Sequence, residues 1–100
     1  MIEIKSDKEI TSCNLAIIIF SAEWCEPCKK LKPALQTLSK DTKYKHIKFC
    51  KIDYEAHKEI ADKYNISCLP TTIFVKNGIV QKTITGASLA DIKLSLDKFR

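Results

Sequence analysis

Cys25 and Cys28 lie three positions apart in Ala22-Glu23-Trp24-Cys25-Glu26-Pro27-Cys28-Lys29. Two thiols at this spacing, after an apolar run and at the start of a helical pattern, can close into a small-ring disulfide or open to a dithiol. At a helix start the free backbone N–H groups and the positive end of the dipole favour an anion. The thiolate is the nucleophilic form, so the placement lowers the pKa of Cys25 and activates it near neutral pH. Cys28, one turn further in, is expected to be more buried, less ionised and placed to attack a mixed disulfide formed at Cys25. Pro27, early in the helix, needs no N–H partner and stiffens the loop. Trp24 is expected to cover one side of the sulfurs.

The same pair is also half of a zinc site. Zinc takes four ligands, and a second C-x-x-C or a His pair is the usual source. Cys13, Cys50, Cys68, His46 and His57 are dispersed singly. The pattern therefore favours redox chemistry, and no metal is expected. Cys13 and Cys50 are expected in or near the core, and the two histidines in solvent with no partner.

The pair needs a scaffold of modest size. The chain has 100 residues, which predicts one domain spanning 1–100. Its 45% hydrophobic and 29% charged residues fit a globular chain and exclude a disordered one. Two Gly and three Pro exclude collagen-like and linker-dominated classes. The longest apolar run, Leu15 to Phe20, is far short of the ~18 residues that span a bilayer, so no membrane association is expected.

The net charge is +5, carried almost wholly by lysine, with the one Arg at position 100. Base reading favours Arg forks, and single-strand binding favours aromatics interleaved with basic residues. Neither pattern is present, and no nucleic-acid partner is expected. The N-terminal Met-Ile-Glu-Ile-Lys-Ser-Asp carries charge where a signal peptide needs its apolar segment, which predicts a cytoplasmic protein. In that reducing compartment five cysteines read as catalytic or buried thiols, not as a disulfide framework.

Strand and helix patterns alternate. Ile2 and Ile4 suggest a short strand, and Ser6 or Asp7 can cap a helix running toward Cys13. Leu15 to Ser21 is continuously apolar and β-branched, the pattern of a central strand buried on both faces. A helix is expected from near Cys25 to about Lys40, with Leu31, Leu35 and Leu38 inward and a kink at Pro33. Ile47 to Asp53 reads as a strand. Ala56, Ile60 and Tyr64 share one helical face. Thr72 to Lys76 and Ile79 to Thr85 flank Asn77-Gly78, a strong hairpin signal. Ser88 followed by Asp91 opens a last helix with Leu89, Ile92, Leu96 and Phe99 inward. The order βαβαβαββα implies an α/β fold with a parallel or mixed sheet between helices.

Phe20, the Ala22–Lys29 block, Pro33, Ile52-Asp53, Leu69-Pro70-Thr71, Lys76-Asn77-Gly78 and Gly86-Ala87 occur in an order that resembles the thioredoxin family over nearly the whole chain. The resemblance implies the thioredoxin fold, a central mixed β-sheet flanked by helices. It implies a protein-disulfide reductase with Cys25 as nucleophile, Cys28 as resolving cysteine and a Cys25–Cys28 redox disulfide. Pro70 corresponds to the family's cis-proline. The Cys68–Pro70 loop would offer backbone to an extended substrate segment, and Trp24, Leu69, Gly86 and Ala87 would form an apolar collar. Gly86 would permit close approach or simply make a turn. The implied partners are disulfide-containing proteins and an NADPH-dependent thioredoxin reductase. The chain has no dinucleotide fingerprint of its own, no cofactor is expected, and a monomer is expected. Cys68 matches a position that animal members use for regulation or dimer disulfides, or it is a small residue chosen for space.

Two positions depart from the family. Ile19 stands where members carry a buried Asp, six residues before the first cysteine, that is thought to help deprotonate the second. Alignment sets Phe49 at the position of that Asp's Lys partner, which would make a charge pair apolar. Glu26 replaces the usual Gly, and a carboxylate beside a thiolate disfavours ionisation. Two alternatives remain: the same fold used as an oxidant or isomerase, which the missing signal peptide disfavours, and a binding subunit with an idle dithiol, which the intact pair disfavours.

Overall fold

The computed structural model describes residues 1–100. Strand β1 covers Ile2–Glu3, helix α1 Asp7–Thr11, β2 Leu15–Ser21, α2 Glu26–Ser39, β3 Lys48–Asp53, α3 Lys58–Lys63, β4 Thr71–Lys76, β5 Ile79–Thr85 and α4 Leu89–Phe99. A short 3-10 turn at Thr42–Tyr44 joins α2 to β3. The five strands form one mixed sheet in the order β1-β3-β2-β4-β5. Strands β1 and β2 run parallel to β3, while β4 runs antiparallel to β2 and to β5. No helix is long and apolar enough to cross a membrane.

The apolar run of β2 makes it the central strand, because its alternate side chains feed two separate cores. Ile18 and Phe20 join Ile10 of α1, Ile60 and Ala61 of α3 and Ile52 of β3 on one side. Ile17 and Ile19 join Leu31 and Leu35 of α2, Ile92 and Leu96 of α4, and Phe49 on the other. Each fully buried aliphatic side chain contributes about 1.5–3 kcal/mol of transfer free energy, so a two-sided central strand anchors both layers.

Several expected boundaries shift. The face drawn through Ala56 does not form: α3 begins only at Lys58, and Ala56 is exposed. Asp53 Oδ1 accepts from the Glu55 N–H at 3.0 Å and the Asp53 carbonyl from His57 N–H at 3.1 Å, which hold residues 53–57 as a turn. Tyr64 becomes the C-cap, and its hydroxyl donates to Asp7 Oδ1 at 2.6 Å. Helix α2 continues through Pro33, which lies on its exposed side. On α4, Ile92 and Leu96 are buried but Leu89, the first residue of the helix, is 37% exposed. Phe99 packs edge-on against Phe74 at 5.4 Å between ring centroids. His46 is exposed, whereas His57 is half-buried with Nδ1 3.6 Å from Glu59.

The Asn77-Gly78 turn has positive φ at both residues, 52° and 77°. That is the primed geometry that matches strand twist. The turn also docks on the α1–β2 connection: Asn77 N–H donates to Asn14 O at 2.8 Å and Gly78 N–H to Cys13 O at 2.9 Å. A Cβ on residue 78 would stand 2.2 Å from Thr11 O, so only glycine fits.

Candidate active site

Strand β2 ends at Ser21, and the chain turns through Ala22 to Cys25, whose N–H donates to Ala22 O at 3.1 Å. Cys25 is the N-cap of α2 in an extended conformation, with Glu26 and Pro27 in the first turn. Caps are usually oxygen-bearing side chains that accept from an orphan N–H of the first turn. Here sulfur takes that place: Cys28 N–H donates to Cys25 Sγ at 3.3 Å. Cys25 is 5% exposed and Cys28 is fully buried beneath it. The two sulfurs are at bonding distance with Cα atoms 5.3 Å apart, inside the roughly 4.4–6.8 Å window a disulfide requires.

The geometry favours negative charge on Cys25, since a backbone donor and the dipole's positive end both face its sulfur. Glu26 opposes this less than its position suggests. Its carboxylate is largely in solvent and paired with Lys29 Nζ at 3.3 Å.

The opposite wall comes from the loop before β4. The Leu69–Pro70 peptide is cis. Leu69 packs against the cluster of Ala22, Cys25 and Cys28. The loop is held at both ends: Thr71 Oγ1 donates to Cys68 O at 2.6 Å, and Gly86 N–H donates to Pro70 O at 2.8 Å. Cys68 is exposed. Gly86 has φ 89°, and a Cβ there would meet nothing within 4 Å. Within the chain, then, its glycine answers a backbone conformation and no crowding. Ala87 is exposed and, with Pro27, Leu31, Ala34 and Leu89, lines a groove of about 350 Å³ rimmed by Glu26 and Lys30.

Trp24 is 63% exposed and stands outside the cluster around the sulfurs. Its indole N–H donates to Glu55 Oε1 at 3.0 Å, and Lys58 Nζ approaches Glu55 Oε2 at 3.4 Å. Glu55 thus joins the site from a loop 31 residues away, with no signal in the local sequence.

Ile19 is 1% exposed in the core beneath α2, with Phe49 in the same cluster. The strand register pairs Ile19 with Lys51 on one side and Thr72 on the other, while Phe49 pairs with Ile17. Thr72 carries the one buried side-chain oxygen without a hydrogen-bond partner. Of the remaining thiols, Cys13 donates to Glu9 O at 3.0 Å. Burial and the neighbouring Cys13 push the Cys50 thiol up to about 11. No group of three or more His, Cys, Asp and Glu side chains is placed to hold a metal ion.

A family model described as thioredoxin matches residues 3–98. The chain is 36% identical over 93 residues to thioredoxin 1 of Plasmodium falciparum, covering 93% of this chain and 88% of that one. A solved structure of Plasmodium falciparum thioredoxin superposes with a TM-score of 0.92 at 33% identity, covering 100% of both chains. Monothiol glutaredoxin-4 of Saccharomyces cerevisiae is 30% identical over 97% of this chain, which spans only 43% of that longer relative. With a disulfide-forming cysteine pair at a helix N-terminus facing a cis-prolyl loop, and with these relatives, the chain belongs to the thioredoxin family of thiol–disulfide oxidoreductases.

Proposed function

We propose that this chain is a general protein-disulfide reductase of the cytoplasm, working as a monomer and recharged by a separate NADPH-dependent thioredoxin reductase. Cys25 thiolate attacks a target disulfide and forms a mixed disulfide. Cys28 then attacks the Cys25 sulfur, the target leaves as a thiolate, and the Cys25–Cys28 disulfide remains. The observation that carries the reading is the N-cap sulfur: Cys25 accepts the Cys28 N–H at the mouth of α2, with Cys28 sealed beneath.

The surroundings support roles for the neighbouring residues. An extended target segment lies along Cys68, Leu69 and Pro70 by backbone pairing. Trp24, Gly86 and Ala87 flank it, and Pro27 stiffens the first turn. Exposed Cys68, at the start of the loop, is the thiol open to oxidation or a dimer disulfide. With Ile19 in place of an acid, Cys28 has no carboxylate directly beneath it, and mixed disulfides live longer than a buried acid would allow. Ile19→Asp then speeds resolution.

The test mixes the protein with NADPH, a thioredoxin reductase and a disulfide-bonded protein. Steady NADPH oxidation that Cys25→Ser abolishes, together with target proteins trapped covalently by Cys28→Ser, supports the reading. No NADPH oxidation and no trapped targets would overturn it.

A further inference from the structure

Cys28 has no solvent-accessible surface, yet as the resolving thiol it must lose a proton before it attacks. Burial alone resists that ionisation. The proton therefore needs a route and an acceptor, and Ile19 supplies neither.

A polar cavity of about 130 Å³ lies at the carboxyl ends of β2 and β3. Its lining includes residues from either side of Cys28 in the chain. Ala22, which clusters with Cys25 and Cys28, forms part of its wall. Lys32, one helical turn beyond Cys28 and on the same face of α2, forms another part. Ser21, 3% exposed, and Asp53, half-buried, are paired in register across β2 and β3 and both line it. Its volume is several times the ~15 Å³ that one water needs. The charged groups facing this space are Glu3 from β1, Glu23 from the turn before α2, Lys32 from α2, and Lys51 and Asp53 from β3. Glu3 and Glu23 are exposed at the rim, and Asp53 is the most enclosed carboxylate. One of its oxygens accepts the Glu55 N–H, and the other has no partner within the chain.

Building on the reductase reading, we infer that this cavity is the proton outlet of Cys28 and that Asp53 is its acceptor, reached through water. The step balances. Cys28–SH gives its proton through water to the Asp53 carboxylate. The Cys28 thiolate attacks the Cys25 sulfur of the mixed disulfide, and the Cys25–target bond breaks. The target thiolate carries the electron pair away, and Asp53 returns its proton to solvent. Lys32 and Lys51 favour the transient thiolate by their charge. Asp53 acts on a reacting atom only through water and is a positioning residue for the proton.

An aromatic disulfide that releases one coloured thiolate on attack by Cys25 and a second on resolution by Cys28 separates the two steps in stopped flow. Asp53→Asn keeps an oxygen for the Glu55 N–H, so the turn is preserved. The expected result is an unchanged first phase. The second phase at neutral pH is slower by on the order of tenfold, less than the roughly hundredfold of a base in direct contact. The variant's second phase should rise in proportion to hydroxide while the wild type is flat across the neutral range, Asp53→Glu should restore most of the rate, and Glu23→Gln should change neither phase. A second phase in Asp53→Asn that matches the wild type at every pH overturns the inference. So does an equal slowing of both phases, which marks a damaged turn, and so does loss at Glu23→Gln instead. Absence of any first phase in the wild-type protein would sink the reductase reading itself, a result distinct from all of these.

Discussion

Cys25 and Cys50 are almost equally hidden, 5% and 1% exposed, yet the fold gives them opposite chemistry. Cys25 caps a helix, so its sulfur meets a backbone N–H and the positive end of the dipole. Cys50 sits mid-strand between β1 and β2, among Ile10, Ile18 and Ile52, with the Cys13 thiol as a neighbour. Apolar surroundings push its thiol up to about 11. Burial therefore does not decide reactivity here; what faces the sulfur does. The active end of the sheet has caps and a held loop, and the other end is a packed plug of α1, Cys13 and the Asn77-Gly78 turn.

The plug is easier to break than the active end. Gly78→Ala forces a Cβ against the Thr11 carbonyl at positive φ. It should cost roughly 3 kcal/mol of unfolding free energy, the sum of backbone strain and overpacking. Gly86→Ala, at the active end, meets only the φ penalty and should cost about 1 kcal/mol. Urea unfolding of both variants measures the difference, and equal losses would contradict the docked turn.

The plug also has a pH handle. Hydrogen bonds from Lys63 and Tyr64 hold the Asp7 carboxyl below its usual range. A depressed folded pKa stabilises the fold above the unfolded carboxylate value of about 4 and loses that contribution as pH falls through the folded value. Wild type and Asp7→Asn should differ in melting temperature at neutral pH and converge in strong acid.

Thr72→Val tests the packing beside Ile19. Removing the unpartnered hydroxyl beside Ile19 in a near-isosteric swap should stabilise the protein by about 1 kcal/mol, read from chemical unfolding. The smallest effect concerns Glu26. Glu26→Gly should raise the thiolate fraction of Cys25 slightly, more at low salt, because Lys29 already offsets the carboxylate. Thiolate absorbance against pH measures it, and an opposite shift would refute the electrostatic reading.

Much of this architecture is legible before any coordinates. Leu15–Ser21 and Ile79–Thr85 declare themselves because burial on both faces and turn chemistry are local properties of a short segment. Cys25 as a helix cap is equally local. Apolar spacing extends the α3 face to Ala56 because it ignores an Asp53 side chain that holds the chain in a turn. Contacts across elements were out of reach. Nothing near Trp24 names Glu55 as its partner, and only the β2–β3 register sets Lys51 opposite Ile19 and Asp53 opposite Ser21. Gly86 could be read as a turn or a close approach, and the open space around it marks the conformational reason within the chain.

Competitive alkylation of the reduced protein tests the central claim most directly. At about pH 6, below the ordinary thiol pKa of about 8.5, limiting iodoacetamide followed by peptide mass spectrometry ranks the cysteines in one sample. The helix-cap argument predicts that Cys25 is labelled first, well ahead of exposed Cys68, while Cys13, Cys28 and Cys50 stay unlabelled until the protein unfolds. Labelling of Cys25 no faster than Cys68 would contradict it.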